Sequence, residues 1–311
     1  MYKLIIFISL LINFTYTLNC SQKMIEQRDV YYWIANPESI IDKKTNSCSN
    51  EFMLNISKYQ DAISGLGPYL WKVNVINSTY PDVVYEFNAG LKCYNEIIER
   101  YPKISIAASG GISECWNNNC QAKVMARNSK YFINSLLSFV RSIKLDRVWI
   151  DFETKNLNSN DTRHLNGLFY ELSKDVSLYR YAGCVHNGEP AYLNETCKQF
   201  INSAPNVVVQ GAGTYWDNSP KGFKTILMDM ISDIGIDNIG KLSVAVCPNG
   251  CSDYNEITQE QLYERMDLIC NLNITSISAF TLDSILKLQG INGTGLRWIN
   301  AFKYYKTGIK S

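Results

Sequence analysis

Two carboxylates, Asp151 and Glu153, close a short apolar run, Leu145-Asp146-Arg147-Val148-Trp149-Ile150-Asp151-Phe152-Glu153. β-Branched and aromatic residues interleaved in this way predict a β-strand. Side chains alternate along a strand, so Trp149, Asp151 and Glu153 share one face while Val148, Ile150 and Phe152 share the other. Like charges that close do not both ionise easily, and the one that stays protonated is fit to act as a general acid. A buried salt-bridge node, or a merely solvated strand end, is the other reading of the pair. In a β/α barrel the C-terminal end of a strand is the catalytic rim, where two such groups would meet a substrate.

The elements that must hold this strand are legible along the whole chain. Strand-like runs at residues 30–35, 70–76, 103–108, 147–152, 180–185, 206–210, 241–246 and 274–280 alternate with helical patterns such as 131–143, 163–176, 223–234, 259–272 and 295–306. Eight β-then-α units predict an α/β fold, a (β/α)8 TIM barrel, with a doubly wound sheet as the competing arrangement. Residues 1–17 have a charged start, an apolar stretch too short to span a bilayer and small residues at its end, the pattern of a signal peptide. Residues 18–311 then form one domain, with no low-complexity linker inside it.

Secretion, or delivery to a lysosomal or vacuolar lumen, suits the ten cysteines, all of which lie beyond residue 17. Cys115 with Cys120, Cys247 with Cys251 and Cys184 with Cys197 are candidate local staples. Sequons at Asn55, Asn77, Asn160, Asn194, Asn273 and Asn292 point to a glycoprotein. His164 and His186 are the only histidines and no C-x-x-C occurs, so neither a metal nor another cofactor is expected. A net charge of +1 with dispersed Lys and Arg excludes nucleic acid as a partner, and no later stretch suits stable membrane insertion. Neither a nucleophile elbow nor a phosphate-binding loop is present.

The acidic strand resembles the signature of glycoside hydrolase family 18, D-x-x-D-x-D-x-E, written here as Asp146-x-x-Trp149-x-Asp151-x-Glu153. The resemblance implies that Glu153 is the proton donor and that Asp151 orients the substrate's acetamido group. It implies catalysis assisted by that group, and hence a partner that is an oligo- or polysaccharide containing N-acetylglucosamine: chitin, its oligomers or an N-glycan core. Trp149 stands where the family has its second acid. Either it fills a core layer without a direct role, or the lost charge leaves Asp151 turned towards Glu153 and alters the pH profile.

Other segments resemble the family in part. Val30-Tyr31-Tyr32-Trp33 is similar to its first strand, which makes Tyr32 a candidate for the site. Ile104 to Gly111 is similar to the third strand, which ends in S-x-G-G, and nominates Ser109 and Gly110. Val207-Val208-Val209-Gln210 resembles the sixth strand of plant-type members and nominates Gln210, with Tyr215 as the supporting tyrosine if the following loop bulges. Phe280 ends the eighth strand where the family has a tryptophan, and would act as an apolar platform. Asn36, Asn77, His186 and Asp283 follow predicted strands and are further rim candidates. The implied activity is hydrolysis of β-linked N-acetylglucosamine glycans; a chitinase-like lectin binding the same glycans is the alternative.

Overall fold

The computed structural model of the chain describes residues 20, 28–76, 80–85, 91–112, 121–152, 159–181, 207–211, 220–248, 257–287 and 293–311. Its centre is a closed barrel of parallel strands. In chain order these are β1 (Asp29–Ile34), β2 (Gly65–Ile76), the broken stave β4 (Ser105–Ile106) and β5 (Ala108–Ile112), β6 (Arg147–Phe152), β7 (Ser177–Tyr181), β8 (Val207–Gly211), β9 (Leu242–Val246) and β10 (Ser276–Phe280). Each pairs in parallel with the next, and β1 joins β10 on one side and β2 on the other, which closes the sheet. The outlier is β3 (Tyr80–Tyr85), which runs antiparallel along the distal half of β2 and extends that strand into a hairpin beyond the barrel.

Eight expected staves are present, with shifts that have physical causes. The fourth, Arg147–Phe152, has the expected bounds. The second starts at Gly65, earlier than residue 70, because Gly65-Leu66-Gly67-Pro68 has turn composition yet lies in the sheet. The third continues past residue 108 through Ser109-Gly110-Gly111 to Ile112, because the glycines there are paired in the sheet. The fifth begins at Ser177 and not at Arg180, and residues 182–185 of the expected strand lie outside the described residues. The β2–β3 hairpin was not expected at all.

Helices cover the outside of the barrel. Val148 and Ile150 of β6 are fully buried in the sheet–helix layer, which Phe132, Leu136 and Val140 enter from the helix Ser129–Ser142 and Leu165 and Phe169 from Ser159–Leu172. Apolar residues three and four apart give these helices the stripe that such a layer requires. The helix Asn50–Tyr59 is capped by the Ser49 hydroxyl, which accepts from the Phe52 N–H, and Gln259–Asn271 opens with a reciprocal capping box between Thr258 and Gln261.

Cys20 is bonded to Cys270, 250 residues away, and Cys48 to Cys93. Around Cys20 the buried Arg28 guanidinium donates to the carbonyls of Cys20 and Tyr305, while the Cys20 N–H and the Tyr304 hydroxyl both donate to Asp267. The N-terminal segment is thereby fastened to the helices Gln259–Asn271 and Thr294–Thr307. Cys247 is also disulfide-bonded, and Cys115, Cys120, Cys184, Cys197 and Cys251, invoked in the local staples, lie outside the described residues. No described helix is long and apolar enough to cross a membrane.

Candidate active site

The inside of the barrel holds a second, smaller apolar cluster, separate from the sheet–helix layer. It consists of Trp33, Ala107, Trp149, Ala245 and Cys247, with Tyr31 and Tyr69 packed against it. Strand alternation explains its membership: Tyr31 and Trp33 of β1 and Trp149 of β6 point inward, and their sequence neighbours point to the helices.

Trp149 fills the barrel floor. It is 3% exposed, and its ring meets Tyr31 edge-on at 5.5 Å and Trp33 at 5.3 Å. The volume for an indole comes from Gly67 on β2, where any Cβ would run into the six-membered ring of Trp149. Ser109, the register partner of Trp149, is fully buried and donates its hydroxyl to the Gly67 carbonyl at 2.8 Å, which pins β5 to β2 at that level. Tyr31 below is held by Asp29 at 3.2 Å. Burial, and then that carboxylate, push its phenol up to about 12, so it remains a neutral donor.

One layer nearer the C-terminal rim is Asp151, half-buried on the same face as Trp149. Its register partners are Gly111 on β5 and Tyr181 on β7; the row continues through Gln210 on β8 to Ser243 on β9. On the other side Gly111 pairs with Lys72, which is exposed at the rim. The Tyr69 side chain enters this row from β2, its hydroxyl occupying the place a Gly111 side chain would take. Glu153 lies two residues beyond Asp151 and, like Tyr215, outside the described residues.

Of the nominated residues, Asp151, Ser109 and Phe280 are on the interior or its rim, and Gln210 holds a register position in the Asp151 row. Phe280 is 38% exposed at the end of β10, in register with Trp33, and its bond to Thr281 is cis.

Two nominations are corrected. Tyr32 is on the outer face, 1% exposed, its ring against Phe302 and its hydroxyl donating to the Ala62 carbonyl. Gly110 also belongs to the outer face, where its missing side chain makes room for Trp71. Trp71 in turn packs on Phe132 and donates its indole N–H to the Ala108 carbonyl. In both cases an aromatic or glycine motif suggested a ligand contact while alternation had already assigned the side chain to the helices.

Among the other rim candidates, Asn36 is exposed after β1 and Asp283 is buried in the helix Leu282–Lys287, while Asn77 and His186 lie outside the described residues. Tyr31, Trp33, Tyr69 and Lys72 belong to the interior or its rim and were not nominated. Alternation along Val30-Tyr31-Tyr32-Trp33 was signal enough for the first two. For Tyr69 and Lys72 it was not, because the β2–β5 register slips between Tyr69 and Trp71 and an irregularity of this kind is invisible in the sequence. Among the described residues no three His, Cys, Asp or Glu side chains are grouped to hold a metal ion.

No family profile matches the sequence, and no curated protein does. Solved structures do. A Group IV chitinase from Ostrinia furnacalis superposes with a TM-score of 0.62 at 11% identity, over 90% of this chain and 100% of the chitinase. A chitinase from Bacteroides thetaiotaomicron gives 0.62 at 11% identity, over 91% and 98% of the two chains. A class V chitinase from Nicotiana tobaccum, in complex with NAG4, gives 0.58 at 10% identity, over 89% and 99%. The chain therefore has the TIM-barrel fold of the chitinases, which agrees with the family 18 resemblance of its acidic strand.

Proposed function

We propose that this protein is a secreted glycoside hydrolase of the family 18 type, which cleaves β-linked N-acetylglucosamine glycans with retention, assisted by the substrate's own acetamido group. The observation that carries the reading is the position of Asp151. It stands on the inner face at the C-terminal end of the fourth stave of a closed barrel, half-exposed above an apolar floor. Retaining glycosidases ordinarily need two carboxylates, one as nucleophile, and family 18 is an exception to that rule.

In this reaction Glu153 protonates the glycosidic oxygen and later takes a proton from the incoming water. Asp151 accepts a hydrogen bond from the acetamido N–H and stabilises the positive charge that develops as the acetamido oxygen attacks the sugar. The floor of Trp149 and Trp33 keeps water from below, Phe280, Gln210 and Tyr215 are the proposed glycan-contacting residues, and the buried Ser109 supports the floor. Residues 1–17 direct the chain to secretion or to a lysosomal or vacuolar lumen, and residues 18–311 are the mature domain. The chitinases that share the fold, one of them in complex with NAG4, support this substrate class.

A chitinase-like lectin is the second reading, favoured by the indole at position 149 in place of an acid and by Phe280 at the eighth strand. Hydrolysis of fluorogenic chitobiose and chitotriose glycosides by the secreted protein separates the two. Turnover that falls by about 10²–10⁴-fold in Glu153→Gln is expected. Saturable binding of the oligomers without turnover by either protein would establish the lectin.

A further inference from the structure

Tyr69 has no counterpart in the motifs that nominate the site, yet its geometry ties it to Asp151. Its hydroxyl lies where the Gly111 Cβ would be, and Gly111 is the direct register partner of Asp151. Adjacent strands are about 4.8 Å apart, so the Tyr69 oxygen stands roughly 5 Å from the Asp151 Cβ, on the same face. Carboxylate oxygens reach about 2.4 Å beyond their Cβ, so a carboxylate turned towards β5 comes within hydrogen-bonding reach of that hydroxyl, roughly 2.6–2.8 Å for such a pair.

The described residues of β5 itself leave this place to Tyr69. Gly111 contributes no side chain, and Ser109 one layer down is committed to the Gly67 carbonyl. Below Asp151 on its own strand is the indole of Trp149, so β6 itself places no acid beneath it. We propose that Tyr69 is a positioning residue: its hydroxyl donates to the Asp151 carboxylate and fixes the orientation in which Asp151 meets the acetamido group. Gly111 is glycine because that hydroxyl needs its side-chain space.

The inference rests on the role given to Asp151 above, but its central contact can be measured without any glycan. Besides Tyr69, the ionisable residues among the described ones that neighbour Asp151 in the sheet are Lys72 of β2 and Tyr181 of β7. Lys72 and Tyr181 are in its register row. A hydroxyl donating to the carboxylate favours the charged form, so its removal moves the Asp151 titration to higher pH.

The experiment is a ¹³C-carboxyl NMR titration of the full secreted protein carrying labelled aspartate, with the Asp151 signal assigned from Asp151→Asn. It is run on wild type, Tyr69→Phe and Gly111→Ala. Both variants are expected to raise the Asp151 midpoint by about one pH unit, a shift that one charge-assisted hydrogen bond accounts for. In turnover, Tyr69→Phe is expected to lose about tenfold in kcat with little change in KM, and the acidic limb of its pH profile moves up with the NMR midpoint.

An Asp151 midpoint that is the same in wild type and in folded Tyr69→Phe overturns the inference, whatever the activity. Gly111→Ala that folds and titrates as wild type overturns it equally, since its methyl must evict the hydroxyl. A protein that neither cleaves nor binds N-acetylglucosamine oligomers removes the glycan reading alone, and the titration still decides the Tyr69–Asp151 contact.

Discussion

Trp149 and Gly67 form a matched pair, and the match accounts for the departure from the family motif better than a change in chemistry does. An indole that is 3% exposed, edge-on to one aromatic ring and tilted against another, is a core residue. Gly67→Ala drives a methyl into that ring, and such overpacking costs about 1–3 kcal/mol. Thermal unfolding should show the loss, and the same change made in Trp149→Ala should cost much less, because the clash is gone. Equal costs in the two backgrounds would mean that Gly67 is there for another reason. By the same packing, Trp149→Asp loses the ring contacts and buries a carboxylate, so a variant meant to restore the family's acid would lower stability before it altered any pH profile.

At the level of elements, β6 was readable and β2 was not, for reasons that lie in their composition. β6 is Arg147-Val148-Trp149-Ile150-Asp151-Phe152, a run with strand propensity throughout and strict alternation, so its bounds and the face of Asp151 follow from sequence alone. β2 starts with two glycines and a proline, residues that normally punctuate strands, and its register then slips between Tyr69 and Trp71. Tertiary packing overrides that composition: the glycines are the space Tyr31 and Trp149 occupy. β5 repeats the lesson, since Gly110 and Gly111 look like a turn and are instead paired residues that yield room to Trp71 outside and Tyr69 inside. Gly110→Ala therefore tests the element and not the site. Its melting temperature should fall as the methyl meets the Trp71 ring and carbonyl, while the glycan affinity of the folded protein stays at the wild-type value. A selective loss of affinity with unchanged stability would return Gly110 to the binding surface.

For the molecule as a whole, the alternation of strands and helices was enough to give the barrel, because eight βα units of this size have few other ways to bury their apolar faces. The long-range fastenings were beyond sequence reading. Cys20–Cys270 joins residues 250 apart, and pairings at such separations cannot be chosen from spacing. The interior cluster likewise emerges only once β1 is seen to pair with both β2 and β10, which brings Trp33 to Trp149. What the closed barrel then offers is a mouth with an apolar floor, Asp151 above it and a single proposed acid, Glu153, with no second carboxylate assigned as nucleophile.

That arrangement has one stereochemical consequence. Hydrolysis assisted by the acetamido group displaces twice at the anomeric carbon, so it must return the configuration of the starting bond. ¹H NMR of chitotetraose during digestion by the secreted protein reads this directly from the anomeric protons of the first products. The expected result is the β-anomer forming first and relaxing to the equilibrium mixture, with no cleavage of the same tetramer lacking its N-acetyl groups. First appearance of the α-anomer, or equal cleavage of the deacetylated tetramer, would contradict substrate assistance and with it the roles given to Asp151 and Glu153.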